Sequence, residues 1–279
     1  MKEEKIPTGI SKFDEMVKGG FEKESINLVA GGSGSGKTIF ALQFLLEGIK
    51  RGEHVLYVTF EEKKEDFYRN MKKFGWDLEK VEKSGKFIFL EYSPEKVKMM
   101  LDEGGGPIET TVLKYKIKRL VIDSITSFSI LFDEELSRKK SMLGLFDIIG
   151  KWNCTTLLTV QYDPSKKSGG ISPIEFEADS ITLLHFINIK NKRERFIEIL
   201  KMRGTDHSTE TRHFEIEKGI KIGKKRKISK REKSVNKRKK AGKVKRVKKR
   251  VKRTKKKTRA NTNKKVKKKI KVNKKKKSR

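Results

Sequence analysis

The amino-acid sequence predicts an α/β protein with a mostly parallel central sheet covered by helices, followed by a basic tail. Short apolar runs alternate with helical patterns between residues 25 and 160, which is typical of such a sheet. The tail is visible in the charge: 34 of the 71 lysines and arginines, but only one of the 36 acids, follow residue 222. Residues 1–222 are therefore nearly neutral, whereas residues 223–279 carry a net charge of +33.

Five apolar runs are predicted as the parallel strands. Each is short, and most are followed by a turn or by a helical pattern with one apolar face. The predicted strands are residues 26–30, 55–60, 87–91, 120–122 and 155–160, and the clearest helices are residues 63–74 and 134–152.

The pattern changes after residue 160. Residues 163–179 contain two prolines and the Gly169-Gly170 pair, which predicts a long loop. Three further strands would form a meander and extend the sheet with antiparallel edge strands. They are residues 181–189, 195–202 and 213–222, with turns at Asn191-Lys192 and Lys218-Gly219.

Composition favours one globular domain, residues 1–222, and a tail, residues 223–279, that is disordered alone. The first part is long enough to bury a full core, and the tail has almost no large apolar residues. The single cysteine, Cys154, lies in an apolar run and is expected to be buried. With no disulfide, no signal peptide and no apolar run of about 20 residues, we expect a soluble cytoplasmic protein.

A phosphate-binding loop is predicted between the first strand and the following helix. Residues 31–38 fit G-x-x-x-x-G-K-[ST] at every position. The glycines let the backbone wrap around a phosphate, and the helix N-terminus adds its positive end. Lys37 is expected to reach the β- and γ-phosphates of ATP, and the Thr38 hydroxyl to coordinate Mg²⁺. The whole set is Gly31, Gly32, Ser33, Gly34, Ser35, Gly36, Lys37 and Thr38.

Polar residues follow the other core strands, and the carboxyl ends of parallel strands meet where α/β sheets build ligand sites. Asp123 suits a Walker B carboxylate that holds Mg²⁺ through water, although it could instead cap the next turn. One of Glu61 and Glu62 could polarise the attacking water while the other caps the following helix, or both could simply cap it. Gln161 could sense the γ-phosphate, or be a polar residue leaving the core.

The chain resembles the KaiC-like branch of the RecA/RadA superfamily over roughly residues 6–222. This combination of motifs is far more specific than the phosphate-binding loop alone. The motifs that carry it are Pro7-Thr8-Gly9-Ile10, Phe13-Asp14, Gly19-Gly20, residues 31–38, residues 57–62, residues 121–124, residues 201–205, and Phe214-Glu215-Ile216 with Gly219-Ile220.

The resemblance implies a RecA-like P-loop NTPase fold and a homo-oligomer, a hexameric ring or a filament, with ATP between neighbouring subunits. It favours Glu61 and Glu62 as the residues that activate water. It also implies that Lys201 and Arg203 reach the γ-phosphate of the adjacent subunit. Residues two apart on a strand share a face, which supports this role, although two solvated cations on an exposed strand are the alternative.

Two further positions are carried over from the resemblance. His207 is expected near the same nucleotide, and Tyr68 and Arg69 sit where relatives stack a side chain on adenine. Circadian clock KaiC proteins carry two such domains in tandem and this chain has one, so a clock role and autophosphorylation are doubtful. The chain looks more like single-domain archaeal and bacterial KaiC-like proteins. Protein kinase activity is not favoured, because the sequence shows no matching segment that would accept a phosphate.

The basic tail is predicted to bind DNA or RNA without sequence preference. It has no aromatic residue to stack on bases, and lysine, which suits backbone contacts, outnumbers arginine. An anionic membrane surface, an acidic partner or a solubilising role are the alternatives. The loop 164–176, with Lys166 and Lys167, corresponds to a DNA-contacting loop of RecA-like recombinases, but an ordinary surface loop is an equal alternative.

The sequence therefore predicts a Mg-dependent ATPase that acts as a homo-oligomer. Two rival functions stay open. The first is a nucleotide-gated binding protein with incidental turnover, and the second is an accessory ATPase of DNA recombination or repair.

Overall fold

The computed structural model describes residues 4–93, 96, 106–129, 132, 134–162 and 177–223. The basic tail from residue 224 and the loop 164–176 lie outside these residues, so the predictions made for them stay predictions. The strands are β1 Lys5–Ile6, β2 Phe21–Glu22, β3 Ile26–Gly31, β4 Val55–Thr59, β5 Phe87–Glu91, β6 Arg119–Asp123, β7 Thr155–Gln161, β8 Ser180–Ile189, β9 Lys192–Met202, β10 Arg212–Ile216 and β11 Ile220–Ile222. The helices are α1 Ser11–Met16, α2 Lys37–Lys50, α3 Lys64–Lys72, α4 Leu78–Lys83, α5 Gly106–Tyr115, α6 Ile125–Ser129 and α7 Glu135–Gly150.

Nine of the described strands form one sheet in the order β11-β10-β9-β8-β3-β7-β6-β4-β5. The six strands from β8 to β5 are mutually parallel. The strands β9, β10 and β11 extend the sheet with antiparallel pairs. All six residues of the central strand β3 are buried, as expected where helices cover both faces of a sheet. The predicted fold class, mostly parallel with antiparallel C-terminal edge strands, is confirmed.

Several elements differ from the predicted ones. The third C-terminal strand, residues 213–222, is two strands, β10 and β11, which reverse at the turn predicted at Lys218-Gly219. The helices predicted at 63–74 and 134–152 are one to two residues shorter at their ends. The sequence did not predict β1, β2, α1, α4, α5 or α6, because most of these segments are shorter than two periods of either pattern.

Two apolar clusters form the core, one on each face of the sheet. Alternate residues of β4 show the division: Val55 and Tyr57 belong to one cluster, and Leu56 and Val58 to the other. Helices α1, α2 and α3 cover the first face, and α5 and α7 cover the second. Cys154 is buried as predicted, and burial raises the pKa of its thiol to about 11.

A fully buried arginine, Arg119, connects three parts of the domain. Its Nε and Nη2 donate to the Glu53 carboxylate at 2.5 and 3.3 Å. Its Nη1 donates to the carbonyl oxygens of Pro7 at 2.6 Å and Phe44 at 2.9 Å. Because these partners come from the N-terminal segment, α2 and the turn before β4, one side chain holds all three against the start of β6.

Among the described residues, no helix combines the length and apolar character that a bilayer span requires.

Candidate functional site

The predicted loop and the predicted residues at the other strand ends, Glu61, Asp123 and Gln161, lie at the carboxyl edge of the parallel strands. In register, Gly31 of β3 lies opposite Gln161 of β7, and Thr59 of β4 lies opposite Asp123 of β6. The glycine-rich loop leaves β3 here, and Glu61 leaves β4 two residues after Thr59. The residues that the sequence places at the strand ends therefore lie at one edge of the sheet.

The glycine-rich loop, residues 31–38, passes very close to neighbouring strands. A Cβ on Gly31 would lie 2.4 Å from the Leu184 carbonyl oxygen and 2.6 Å from Ser35 Oγ. Gly36 has a φ of +105°, and a Cβ there would lie 2.7 Å from Ile216 Cδ1. Side chains at either position would push the loop out of place, which explains why the motif needs glycine there.

Lys37 begins α2 and turns back over the loop. Its Nζ donates to the carbonyl oxygens of Gly31 at 3.0 Å and Gly32 at 3.1 Å. Burial lowers the pKa of Lys37, and the negative charges of Asp123 and Glu61 oppose that shift. The ammonium group is thus held in the loop, within the field of two carboxylates.

The Asp123 carboxylate is held by three hydroxyl groups. Its Oδ2 accepts from Thr38 Oγ1 at 2.8 Å and from Tyr57 Oη at 2.6 Å, and its Oδ1 accepts from Thr159 Oγ1. Burial and the charge of Asp123 raise the pKa of Tyr57 well above its usual value, so the phenol stays a donor. The peptide bond from Asp123 to Ser124 is cis. Sequence reasoning missed Tyr57 and Thr159, whose only signal was a polar atom inside an apolar strand.

The donor set suits Mg²⁺ bound together with phosphate. Thr38 and Asp123 offer adjacent hard oxygen ligands, and Mg²⁺ usually takes only one or two protein carboxylates plus phosphate oxygens and water. No group of three or more His, Cys, Asp or Glu side chains in the described part of the chain could hold a metal. In the same part, Ser35 Oγ in the loop is buried without a hydrogen-bond partner. The Thr38 and Asp123 oxygens fit an ion whose remaining ligands would come from a nucleotide and water.

Glu61 is held in a fixed orientation beside Asp123. Its Oε1 accepts from Ser124 Oγ at 2.6 Å and from Ser127 Oγ at 2.8 Å. Its backbone N–H donates to Thr59 Oγ1 at 3.2 Å, which fixes the start of the turn after β4. Its charge also acts on Lys37 in the loop.

Glu62 has different surroundings. Partial desolvation raises the pKa of its carboxyl group, and the charges of Asp123 and Glu61 raise it further. Neither glutamate is the N-cap of α3, because that position is Lys63, whose side chain makes no capping bond. The structure therefore gives no support to the simple capping alternative.

Gln161 ends β7 at the same edge and is exposed, whereas the six strand residues before it are buried. Its backbone N–H donates to Thr126 Oγ1 at 2.8 Å, which ties the end of β7 to α6. Gln161 is thus at the site, next to the first glycine of the loop.

A cavity of about 390 Å³ opens beside the loop. Four of its wall residues were not predicted as site residues: Ile39 lies on α2, Phe74 follows α3, Arg195 lies on β9 and Ile216 on β10. Arg195 Nε donates to the Gly34 carbonyl oxygen at 3.1 Å, and its guanidinium lies 4.3 Å from the centre of the Phe186 ring. The lining residues are Gly34, Gly36, Lys37, Thr38, Ile39, Phe74, Arg195 and Ile216.

Arg69 and Tyr68 of α3 were predicted to lie beside adenine, but they do not line the cavity beside the loop. Arg69 is exposed, pairs with Asp66, and lines a second cavity of about 390 Å³ with Tyr68 and residues of α4. The Tyr68 side chain is buried against the aromatic ring of Phe89. In this structure Phe74, five residues after Arg69, borders the loop cavity.

Lys201 and Arg203 lie at the opposite edge of the sheet. Met202 pairs with Ser180, and Ser180 pairs with Asn27 near the start of β3, whereas Gly31 ends β3. Asn27 and Gly31 are four residues apart on β3, so Met202 lies about 13 Å from the level of the loop along the strand direction. The prediction that Lys201 and Arg203 share a face of one strand was wrong for Arg203. The strand β9 ends at Met202, so Arg203 lies in the following turn.

His207 lies in the same connection between β9 and β10. Its Nδ1 is 3.1 Å from the Ser208 carbonyl oxygen, and the Ser208 N–H donates to the Met16 carbonyl oxygen at 2.9 Å. The second of these contacts attaches the connection to α1.

Comparison with known proteins identifies the family. A family model described as "ATPase: KaiC" matches residues 6–227. The circadian clock protein KaiC3 of Synechocystis sp. is 37% identical over 231 residues, which cover 78% of this chain and 45% of that protein. A UPF0273 protein of Thermotoga maritima is 33% identical over 232 residues, covering 78% of this chain and 95% of that protein.

A crystal structure of a KaiC-like protein from the hyperthermophilic archaeon Pyrococcus horikoshii superimposes with a TM-score of 0.71 at 36% identity, covering 80% of this chain and all of that one. The chain spans less than half the length of the circadian clock relatives it matches, but nearly all of the Thermotoga protein. The motifs, the sheet order and these matches agree, and the chain therefore belongs to the KaiC family of ATPases, with one RecA-like domain.

Proposed function

We propose that this protein hydrolyses ATP with Mg²⁺ at the carboxyl edge of its sheet. The observation that carries the proposal is the hydrogen-bonded set of Thr38, Asp123 and Tyr57 next to Lys37 in the glycine-rich loop. A family of ATPases supports nucleotide binding, and the arrangement supplies the groups that phosphoryl transfer to water requires.

The loop residues bind and orient the triphosphate. Backbone N–H groups of residues 31–38 and the start of α2 attract the phosphates, and Lys37 exchanges its two loop carbonyl partners for phosphate oxygens. Asp123 holds the Thr38 hydroxyl in place, so that both face the same ion. Bound Mg²⁺ supplies positive charge against the phosphate oxygens.

Glu61 is our candidate for orienting the attacking water. Hydrogen bonds from Ser124 and Ser127 fix its Oε1. Its negative charge acts on Lys37, beside which the γ-phosphate would lie. Glu62, the next residue in the chain, assists Glu61 in this role. Positioning of this kind is worth about 10²–10⁴ in rate.

The site is completed by a second copy of the chain. Lys201 and Arg203 lie about 13 Å from the level of the loop in their own subunit, which supports a role at a neighbour's nucleotide instead. A cation supplied in trans stabilises the charge of the transition state. Repeated head-to-tail contacts of this kind form rings or filaments, and we propose such a homo-oligomer.

The test is ATP binding and steady-state ATPase of the full chain with Mg²⁺ or with EDTA. We expect Mg-dependent turnover that Lys37→Ala and Asp123→Asn each lower by at least about 10². Lys72→Ala, on the exposed side of α3, is the matched control and should change neither quantity by more than about twofold. Turnover that both site variants retain would refute hydrolysis at this site.

We further propose that the basic tail binds the phosphate backbone of nucleic acids. Its net charge of +33 supports this. Deleting residues 223–279 should abolish binding of a fluorescent DNA or RNA duplex at 50 mM salt. Binding by the full chain should weaken by about 10³–10⁵ at 200 mM salt if 6–10 phosphates are contacted. Equal affinity of the two chains at low salt would refute the tail's role.

A further inference from the structure

The two cations at the amino edge of the sheet rest on one short segment that precedes β8. Lys201 Nζ donates to the Ala178 carbonyl oxygen at 2.7 Å. The Arg203 N–H donates to the Asp179 carbonyl oxygen at 2.8 Å, and Arg203 Nη1 donates to Asp179 Oδ1 at 3.3 Å. Backbone and side chain of Arg203 are therefore both held by the same residue.

Asp179 is itself fixed by the central strand. Its N–H donates to the Ile26 carbonyl oxygen at 2.8 Å, and its Oδ2 accepts from the Ile26 N–H at 2.9 Å. Ile26 begins β3, the strand that ends in the glycine-rich loop. One carboxylate oxygen thus holds β3 while the other faces the guanidinium, so Asp179 is a rigid support for Arg203.

The ion pair itself is weak enough to exchange. The Arg203 side chain is 54% exposed and that of Asp179 32%, and the contact involves a single nitrogen of the guanidinium. Water and salt screen such a pair, so the more highly charged triphosphate of a neighbour can displace it. A long arginine side chain that is already restricted near its target loses less rotamer freedom when it reaches the target.

We propose that Asp179 is a positioning residue for Arg203, holding the guanidinium at the edge where a second copy's nucleotide docks. This inference rests on the proposed role of Arg203 in trans. Asp179 touches no nucleotide and acts through Arg203 alone. The alternative is that Asp179 and Arg203 form a surface ion pair with no role in turnover, and the experiment must distinguish this from positioning.

The experiment compares Asp179→Asn with the unaltered full chain at saturating Mg-ATP. Asparagine keeps the size of the side chain and an amide oxygen for the Ile26 N–H, but it loses the charge that faces Arg203. We expect kcat to fall by about three- to tenfold, with ATP affinity within about twofold, because Arg203 acts on charge that develops in the transition state. Asp179→Glu should restore part of the loss, since it returns the charge.

A double-mutant cycle with Arg203→Gln separates positioning from structure. If Asp179 acts through Arg203, Asp179→Asn should lower kcat by less than about twofold in the Arg203→Gln background. Asp206→Asn, which removes an exposed pair with Lys18 in the same connection, is the control and should leave kcat unchanged. Equal losses in both backgrounds, or no loss from Asp179→Asn alone, would overturn the proposal.

The same cycle distinguishes this inference from the proposed function. If Arg203→Gln alone keeps the kcat of the unaltered chain, the role of Arg203 in trans is wrong, and the role of Asp179 is overturned with it. If Arg203→Gln lowers kcat but Asp179→Asn does not, Arg203 keeps its role and only the inference about Asp179 is wrong.

Discussion

The two adjacent glutamates after β4 show what side-chain surroundings add to a sequence motif. The sequence could not decide between Glu61 and Glu62, because neighbouring residues in an extended turn differ only in direction. The structure separates them by their partners: two serine hydroxyls orient Glu61, whereas partial desolvation and nearby carboxylates raise the pKa of Glu62. An oriented group that faces Lys37 is the better choice to position water.

We predict that Glu61→Gln lowers kcat by about 10²–10³, and that Glu62→Gln lowers it by no more than about tenfold. Glutamine keeps the shape of each side chain, so the loss measures the carboxylate. Steady-state ATPase under saturating Mg-ATP is the measurement, with ATP affinity as the check that both variants still bind. A larger loss for Glu62→Gln would reverse the assignment.

At the scale of elements, the parallel strand ends could be predicted from the sequence, but the walls of the cavity could not. Strand ends follow from local apolar patterns, and parallel pairing then brings Glu61, Asp123 and Gln161 to the loop. Phe74 and Ile216 are 142 residues apart in the sequence, and no local pattern relates them. Both line the cavity beside the start of α2, and only the tertiary fold brings the segment after α3 and the end of β10 to the same place.

The cavity beside the loop is where we place the nucleotide base. We predict that Phe74→Ala weakens ATP binding by about two- to tenfold, because an aromatic contact is worth about 0.5–1.5 kcal/mol. Isothermal titration with ATP would measure it. Tyr115→Ala, an exposed aromatic residue at the end of α5, is the control and should bind ATP normally. Equal ATP affinity for the Phe74 variant and the unaltered chain would place the base elsewhere.

At the scale of the whole molecule, the function that we propose uses the two edges of the sheet differently. In that proposal the carboxyl edge binds the nucleotide, and the amino edge presents Lys201 and Arg203 to a neighbouring subunit. Near that same amino edge, Arg119 holds the N-terminal segment and α2 against β6 from inside the core. No sequence pattern indicated the role of this residue, because an arginine at a strand start is usually exposed.

We predict that Arg119→Met lowers the free energy of unfolding by about 3 kcal/mol, since it leaves Glu53 and two buried carbonyl groups without their partner. Urea unfolding followed by circular dichroism would measure the change. Arg51→Met is the matched control: it removes a surface pair with Glu47 and should cost less than about 1 kcal/mol. Equal losses for the two variants would show that burial adds nothing to the Arg119 contacts.

The most direct test of the central claim, that two copies complete each site, is a mixing experiment with two inactive variants. Arg203→Gln keeps Glu61 in its own loop site, and Glu61→Gln keeps Arg203 for its neighbour. In a random equal mixture, about a quarter of the head-to-tail interfaces combine both intact residues. We predict that ATPase activity reappears on mixing, in proportion to that fraction. A mixture no more active than its two components, with oligomers confirmed by mass, would contradict the account.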